Sequence, residues 1–159
     1  MIVRRAAEKD IERVLNMYGE LYDLLSALGL PFSLSEDDLK SIVPSLIKSK
    51  ICRFAVAEDE DEICGFVSAA TVRMDRKLNF NGENMVGVIN DIFVAERVRG
   101  LGVSAMLLAD AESFFAENGV RIVESEVIAK NDASAAFFKK NGYSELARIM
   151  YKTLPRKES

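Results

Sequence analysis

The stretch from residue 86 to residue 119 restricts the fold more than any other part of the chain. "VGVINDIFV" (86–94) is apolar except at Asn90 and Asp91, the pattern of a strand covered on both faces. "AERVRGLG" follows directly. "VSAMLLADAESFF" then carries apolar residues at helical spacing, and the helix runs to Asn118, where Gly119 supplies a stop. A buried strand that passes through a glycine turn straight into a helix belongs to a layered arrangement of sheet and helices.

The flanking segments extend that arrangement. "IVRRA" reads as a short first strand. Ile11, Val14, Leu15, Tyr18, Leu21, Tyr22 and Leu25 mark one face of a helix that Gly29 and Pro31 end. Ser35, with Asp38 one turn on, starts a second helix that Pro44 kinks or divides. "ICRFAVAEDEDEICGFVSAATVRM" reads as two strands joined through an acidic turn, and a polar connection over 75–85 leads into the strand at 86–94. Beyond Gly119, "RIVESEVIA" reads as a fifth strand, "DASAAFFKKNG" as a short helix closed by Gly142, and "ELARIMYKTL" as a last strand. The order β-α-α-β-β-β-α-β-α-β predicts an α/β (α+β) class: a mixed sheet of about six strands with helices on both faces.

Composition narrows the function classes. A length of 159 residues is that of one domain, taken here as 1–159. The formal net charge of −4 argues against a nucleic-acid partner, because a phosphate backbone wants a basic face. The absence of histidine removes His-ligated metal sites and Ser/His/Asp triads. No run approaches the roughly 18 to 20 apolar residues of a membrane span. The opening "MIVRRAAEKD" has no apolar signal segment, so a cytoplasmic protein without membrane or nucleic-acid partners is expected. Cys52 and Cys64 form no CxxC pair. With a turn at 59–62 they would stand opposite Ala69 and Ala57, which predicts two reduced, buried thiols.

A glycine turn that opens a helix leaves backbone N–H groups unpaired at the positive end of the helix dipole, which favours an anion. Gly100 and Gly102 let the backbone approach a ligand closely, Arg97 and Arg99 add charge, and Ser104 adds a hydroxyl. The dinucleotide fingerprint would need a third glycine, and the phosphate loop of nucleotide hydrolases would need a lysine that is absent here. On local chemistry alone, a pyrophosphate cradle and a plain steric turn both remain open.

"RVRGLG" also satisfies Gln/Arg-x-x-Gly-x-Gly/Ala, and here the chain resembles the GCN5-related N-acetyltransferases (GNAT superfamily), whose acyl-CoA pyrophosphate loop has that form. "INDIFV" looks like the family's fourth strand, and "ESEVIAKNDASAAFFKKNGY" like its fifth strand and fourth helix. The acidic hairpin with "ICGFV" fits the second and third strands, and "RIMYKTL" the usual final strand. The resemblance is strongest over residues 88–143. It implies an acyl-CoA N-acyltransferase fold, mostly antiparallel, with the sheet splayed between the fourth and fifth strands. It further implies acetyl-CoA as co-substrate, no metal and no covalent enzyme intermediate. The backbone of Ile92, Phe93 and Val94 would pair with the pantetheine arm. The amides of Arg99, Gly100, Leu101, Gly102, Val103 and Ser104 would hold the pyrophosphate beside Arg97. Asn131 and Phe138 would lie near the cofactor at the splay. Because members of the family pair through strands or helices, a homodimer is compatible with the resemblance.

The activity so implied is transfer of an acetyl group to a primary amine of a small molecule or a peptide or protein N-terminus, by direct attack in a ternary complex. A carboxylate must take the amine proton. The resemblance makes Glu126 the candidate base, with Asp91 on the adjacent strand as the alternative. Glu124 shares the face of Glu126 by alternation, and Val88 stands where histone-modifying members carry their base. Phe138 stands where the family commonly has a tyrosine acid, and Tyr143 and Ser134 are the nearest hydroxyls in sequence. That departure leaves a second reading, a non-catalytic acyl-CoA-binding or regulatory module. The acceptor would be shaped by residues 22–35 and 75–85.

Overall fold

The computed structural model describes residues 1–158. Five strands, β1 (Ile2–Arg5), β2 (Cys52–Asp59), β3 (Glu62–Arg73), β4 (Met85–Val94) and β5 (Val123–Ser125), lie in the order β1-β2-β3-β4-β5. Each neighbouring pair is antiparallel except β4 and β5, which run parallel. Helices α1 (Ile11–Ala27) and α2 (Glu36–Lys48) cover one face, while α3 (Val103–Glu117) packs on the other beside α4 (Asp132–Lys140).

The near-continuous apolar character of the central strands is explained by two cores. Val67, Ile89, Leu107, Leu108 and Phe115 fill the α3 side; Met17, Val43, Phe54, Phe66 and Phe93 fill the α1–α2 side. Gly87 on β4 allows α3 to sit this close, since a methyl group there would come within 2.7 Å of the Phe115 ring. α2 runs unbroken through Pro44, with Ser35 at its N-cap position bonded through Oγ to Asp38 at 2.6 Å. Among the described residues no helix is long and apolar enough to cross a membrane.

Three sequence expectations need correction. The β2–β3 turn at Glu60 and Asp61 has φ of 48° and 65°, a left-handed pair suited to a two-residue hairpin. A bulge beside Ala57 makes Cys64 an extra residue, so Cys52 faces Ala70 rather than Ala69, and Ala57 faces Gly65. Both thiols are free and buried. The fifth strand covers only Val123–Ser125, because the chain leaves β4 after Ser125 and gains no partner on its other side. The expected last strand at 145–154 does not form: Leu146, Ile149, Met150, Tyr151 and Leu154 are exposed, and among the described residues no backbone hydrogen bond reaches the segment. Among the described residues the sheet therefore has five strands rather than six.

Candidate active site

The sheet opens at its β4–β5 seam. Gly87, Val88 and Ile89 pair with Val123, Glu124 and Ser125, and there the ladder stops. The Ser125 hydroxyl donates to the Ile89 carbonyl at 3.1 Å, the last link before the strands part. Farther along, Ile92, Phe93 and Val94 keep Val67, Phe66 and Gly65 on one side and have no strand on the other. The backbone groups here that point away from β3, apart from the Val94 carbonyl, can accept an extended, amide-bearing chain, as an open sheet edge does.

The glycine turn lies at the end of that edge. Gly100 and Gly102 adopt φ of 78° and 82°, and a β-carbon at either would meet open space. The left-handed backbone, not packing, is therefore what calls for glycine. The first bond into α3 runs from Met106 N to the Gly102 carbonyl at 3.1 Å. The amides of Gly100, Gly102, Val103, Ser104 and Ala105 meet no acceptor among the described residues. Five such donors at the positive end of a 15-residue helix fit a pyrophosphate. Val103 is buried and anchors the turn, Ser104 is half-buried, and Leu101 stands exposed on its flank.

The two arginines brace the turn. Arg99 Nε donates to the Val94 carbonyl at 3.2 Å, and its guanidinium lies 6.0 Å from the centre of the Phe93 ring. Arg97 pairs with Glu62 at 2.9 Å on the surface. Arg99 has no carboxylate partner among the described residues, so its charge adds to the attraction of the backbone amides for an anion.

Asn131 caps α4: its Oδ1 accepts from the Ser134 amide at 3.1 Å, and its Nδ2 meets no acceptor among the described residues. Phe138 is buried, edge-on to Phe137 at 5.2 Å and to Tyr143 at 5.1 Å. The Tyr143 hydroxyl donates to Glu112 Oε1 at 2.8 Å, and burial together with that carboxylate pushes its pKa up.

Asp91 reaches its position through a β-bulge. Ile89 faces Ala69 and Asp91 faces Ser68, so Asn90 is an extra residue in β4. Ile89 consequently packs towards α3, while Asp91 shares the α1–α2 side with Phe93. There it lines a cavity of about 320 Å³ with Tyr18, Tyr22, Phe32, Leu34 and Asp38. The Tyr18 hydroxyl donates to Asp91 Oδ2 at 3.0 Å. Burial raises the pKa of Asp91, and the Tyr18 bond offsets only part of the rise. Burial and the nearby carboxylate raise Tyr18 and Tyr22 as well.

Glu124 and Glu126 are exposed and lie outside this cavity. Residues 22–35 contribute to its wall, whereas 75–85 do not. Sequence reading assigns Tyr18 only to an apolar helix face. The available signal was chemical: a buried tyrosine needs a partner for its hydroxyl.

A cleft with an amide cradle at one end and an open strand edge leading from it suits a long ligand with phosphate at its head, the kind handled by coenzyme-dependent acyl transferases. The profile of the Acetyltransferase (GNAT) family matches residues 19–143. The chain belongs to that family, and it is an acyltransferase that uses acetyl-CoA. It is similar to the uncharacterized N-acetyltransferase YhfO of Bacillus subtilis (strain 168), 23% identical over 152 residues covering 91% of each chain. A mutant form of the BH1408 protein of Bacillus halodurans shares the fold at a TM-score of 0.84 and 23% identity, over 98% of this chain and 100% of that one. So does AAC(6')-Iy in complex with the bisubstrate analogue CoA-S-monomethyl-acetylneamine, at a TM-score of 0.77 and 19% identity over 97% of each chain.

Proposed function

We propose that the protein acetylates a primary amine on a small molecule or peptide N-terminus with an apolar body, by direct attack in a ternary complex, and that Asp91 is the general base. The observation that carries this reading is the position of Asp91. It is a desolvated carboxylate in a cavity, one residue before the open edge of Ile92–Val94. Glu126, exposed beyond the end of β5, has no comparable enclosure.

In this reading the acceptor enters as an ammonium ion drawn by Asp91 and Asp38, while Phe32, Leu34 and Ile42 hold its apolar part. Asp91 takes the ammonium proton, which frees the nitrogen lone pair to attack. Acetyl-CoA supplies the acetyl group as a thioester. The amides of Gly100, Gly102, Val103 and Ser104 would hold its pyrophosphate, with Arg97 at the rim and Leu101 on the flank. The edge of Ile92, Phe93 and Val94 would receive its amide-bearing arm, with Asn131 Nδ2 and the Phe138 ring near the splay. Phe138 has no proton to give and Tyr143 is engaged by Glu112, so water or the Ser134 hydroxyl would protonate the departing thiolate. The bisubstrate complex of AAC(6')-Iy, a protein of the same fold, supports a small-molecule amine as acceptor.

The test is CoA release from acetyl-CoA with apolar monoamines, polyamines, aminoglycosides and short peptides, measured for the wild type, Asp91→Asn and Glu126→Gln. Turnover of apolar amines that falls only in Asp91→Asn is expected. Activity that survives in Asp91→Asn and fails in Glu126→Gln would move the base to Glu126.

A further inference from the structure

We propose that the acceptor carries a second ammonium group across an apolar spacer, and that Asp38 selects for such a diamine by pairing with that group. This selection rests on the proposed transfer at Asp91 and adds a second anchor to the same cavity. Asp91 and Asp38 both line the cavity, and no lysine or arginine does. Neither carboxylate forms an ion pair among the described residues. Each has one oxygen held by a neutral hydroxyl, Tyr18 on Asp91 at 3.0 Å and Ser35 on Asp38 at 2.6 Å. A hydroxyl orients a carboxylate without cancelling its charge, so the cavity favours a ligand with two positive charges over one with a single charge.

Helix capping does not account for Asp38. Any carboxylate in the first turn of α2 gains from the helix dipole, and Glu36 and Asp37 share that gain. A capping pair would go further, with the Ser35 hydroxyl accepting a helix amide and Asp38 reaching back to the Ser35 amide. Neither bond forms; the two side chains bond to each other instead, which leaves Asp38 Oδ1 without a partner among the described residues. Of the three acidic residues in that turn, Asp38 alone lines the acceptor cavity. Glu36 lines a separate one with Glu12, Glu20 and Lys40.

Phe32, Leu34, Leu39 and Ile42 supply the cavity with an apolar wall. Phe32 is 69% and Ile42 49% exposed, so a methylene chain laid against them would cover apolar surface that stands in water. Charge also favours turnover. Acetylation converts the ammonium at Asp91 into a neutral amide, so the product keeps one cationic group where the substrate had two. The product loses its contact with Asp91, binds more weakly than the substrate and leaves.

The experiment compares α,ω-diaminoalkanes, from propane to octane, with the n-alkylamine of the same carbon count. Binding is read by calorimetric titration of the CoA-loaded protein, and turnover by CoA release from acetyl-CoA. The variants are Asp38→Asn and Asp38→Glu, with circular dichroism to check the fold; Asp38 is exposed, so both should fold as before. The best diamine should bind roughly tenfold more tightly than its matched monoamine, the return on one added charge contact. Asp38→Asn should raise KM for that diamine about tenfold more than KM for the monoamine, and Asp38→Glu should restore the difference because it restores the charge. A diamine that binds no better than its monoamine overturns the proposal, and so does a preference that survives Asp38→Asn. Alkylamines acetylated as efficiently as every diamine would overturn it while leaving transfer at Asp91 in place. A diamine preference in binding with no CoA released would uphold the second anchor and overturn the transfer at Asp91.

Discussion

Tyr18 on α1 and Asp91 on β4, 73 residues apart in sequence, are joined by a 3.0 Å hydrogen bond from the phenol to Oδ2. The bond closes the floor of the cavity between helices and sheet. It occupies one carboxylate oxygen and leaves Oδ1 without a protein partner among the described residues. A carboxylate held this way is oriented, desolvated and half free, the condition a general base needs.

Asp91→Asn should lower kcat/KM by roughly 10²- to 10⁴-fold, the usual contribution of a positioned base. The thermal shift given by acetyl-CoA should persist. Stability gives an independent check. The raised pKa means that the folded chain holds a proton the unfolded chain has released, so stability falls as pH rises from about 3.9 through the folded value. Melting temperature against pH should show that loss in the wild type, and the variant should lack it and melt higher at pH 7.

Tyr18→Phe removes the one bond that favours the ionised form of Asp91. The acidic limb of the pH–rate profile should move to higher pH, with a stability loss of about 1 kcal/mol for the missing hydrogen bond. An unmoved limb would mean that Asp91 does not govern it.

Gly102→Val puts a β-branched residue at φ of 82°. The strain should cost about 1–2 kcal/mol in urea unfolding. It should also weaken acetyl-CoA, seen as a smaller ligand-induced rise in melting temperature, because the turn amides lose their common direction.

Phe138→Tyr supplies a hydroxyl where the ring is buried edge-on between Phe137 and Tyr143. With Tyr143 engaged by Glu112, the new group should raise kcat about tenfold or more as a thiolate acid while leaving acetyl-CoA binding unchanged. An unchanged kcat would show that water suffices.

Arg4→Met tests the support of the first strand. Asp10 is buried and accepts from both Arg4 Nη groups, at 2.7 and 3.0 Å, and from the Ala7 amide at 2.8 Å. The Arg4 bond holds the Asp10 pKa down, so its stabilisation is present above about pH 3.9 and fades as pH falls through the lowered value. Removing the guanidinium should cost about 3 kcal/mol in urea unfolding at pH 7, since it strands a buried charge.

Local rules explain which parts were legible. Residues 86–119 could be read as strand, glycine turn and helix because each step depends on neighbours in sequence. The same rules overran at 121–129 and 145–154, where a strand-like pattern needs a partner strand that this chain does not bring alongside. Cys52 stands one residue from the partner that a regular hairpin gives it, because the bulge at Cys64 leaves no mark in composition or periodicity.

The sequence by itself determined the glycine turn and its unpaired amides. Glycines at the two left-handed positions, followed by a helix-forming run, produce unpaired amides at a helix start wherever that segment is folded. Which carboxylate lies in the cavity was decided by the tertiary structure. A strand assigns its faces by a period of two, and one extra residue at Asn90 exchanges the faces of everything after it. That slip turned Asp91 away from the α3 core and towards Tyr18, a choice made by packing between distant segments.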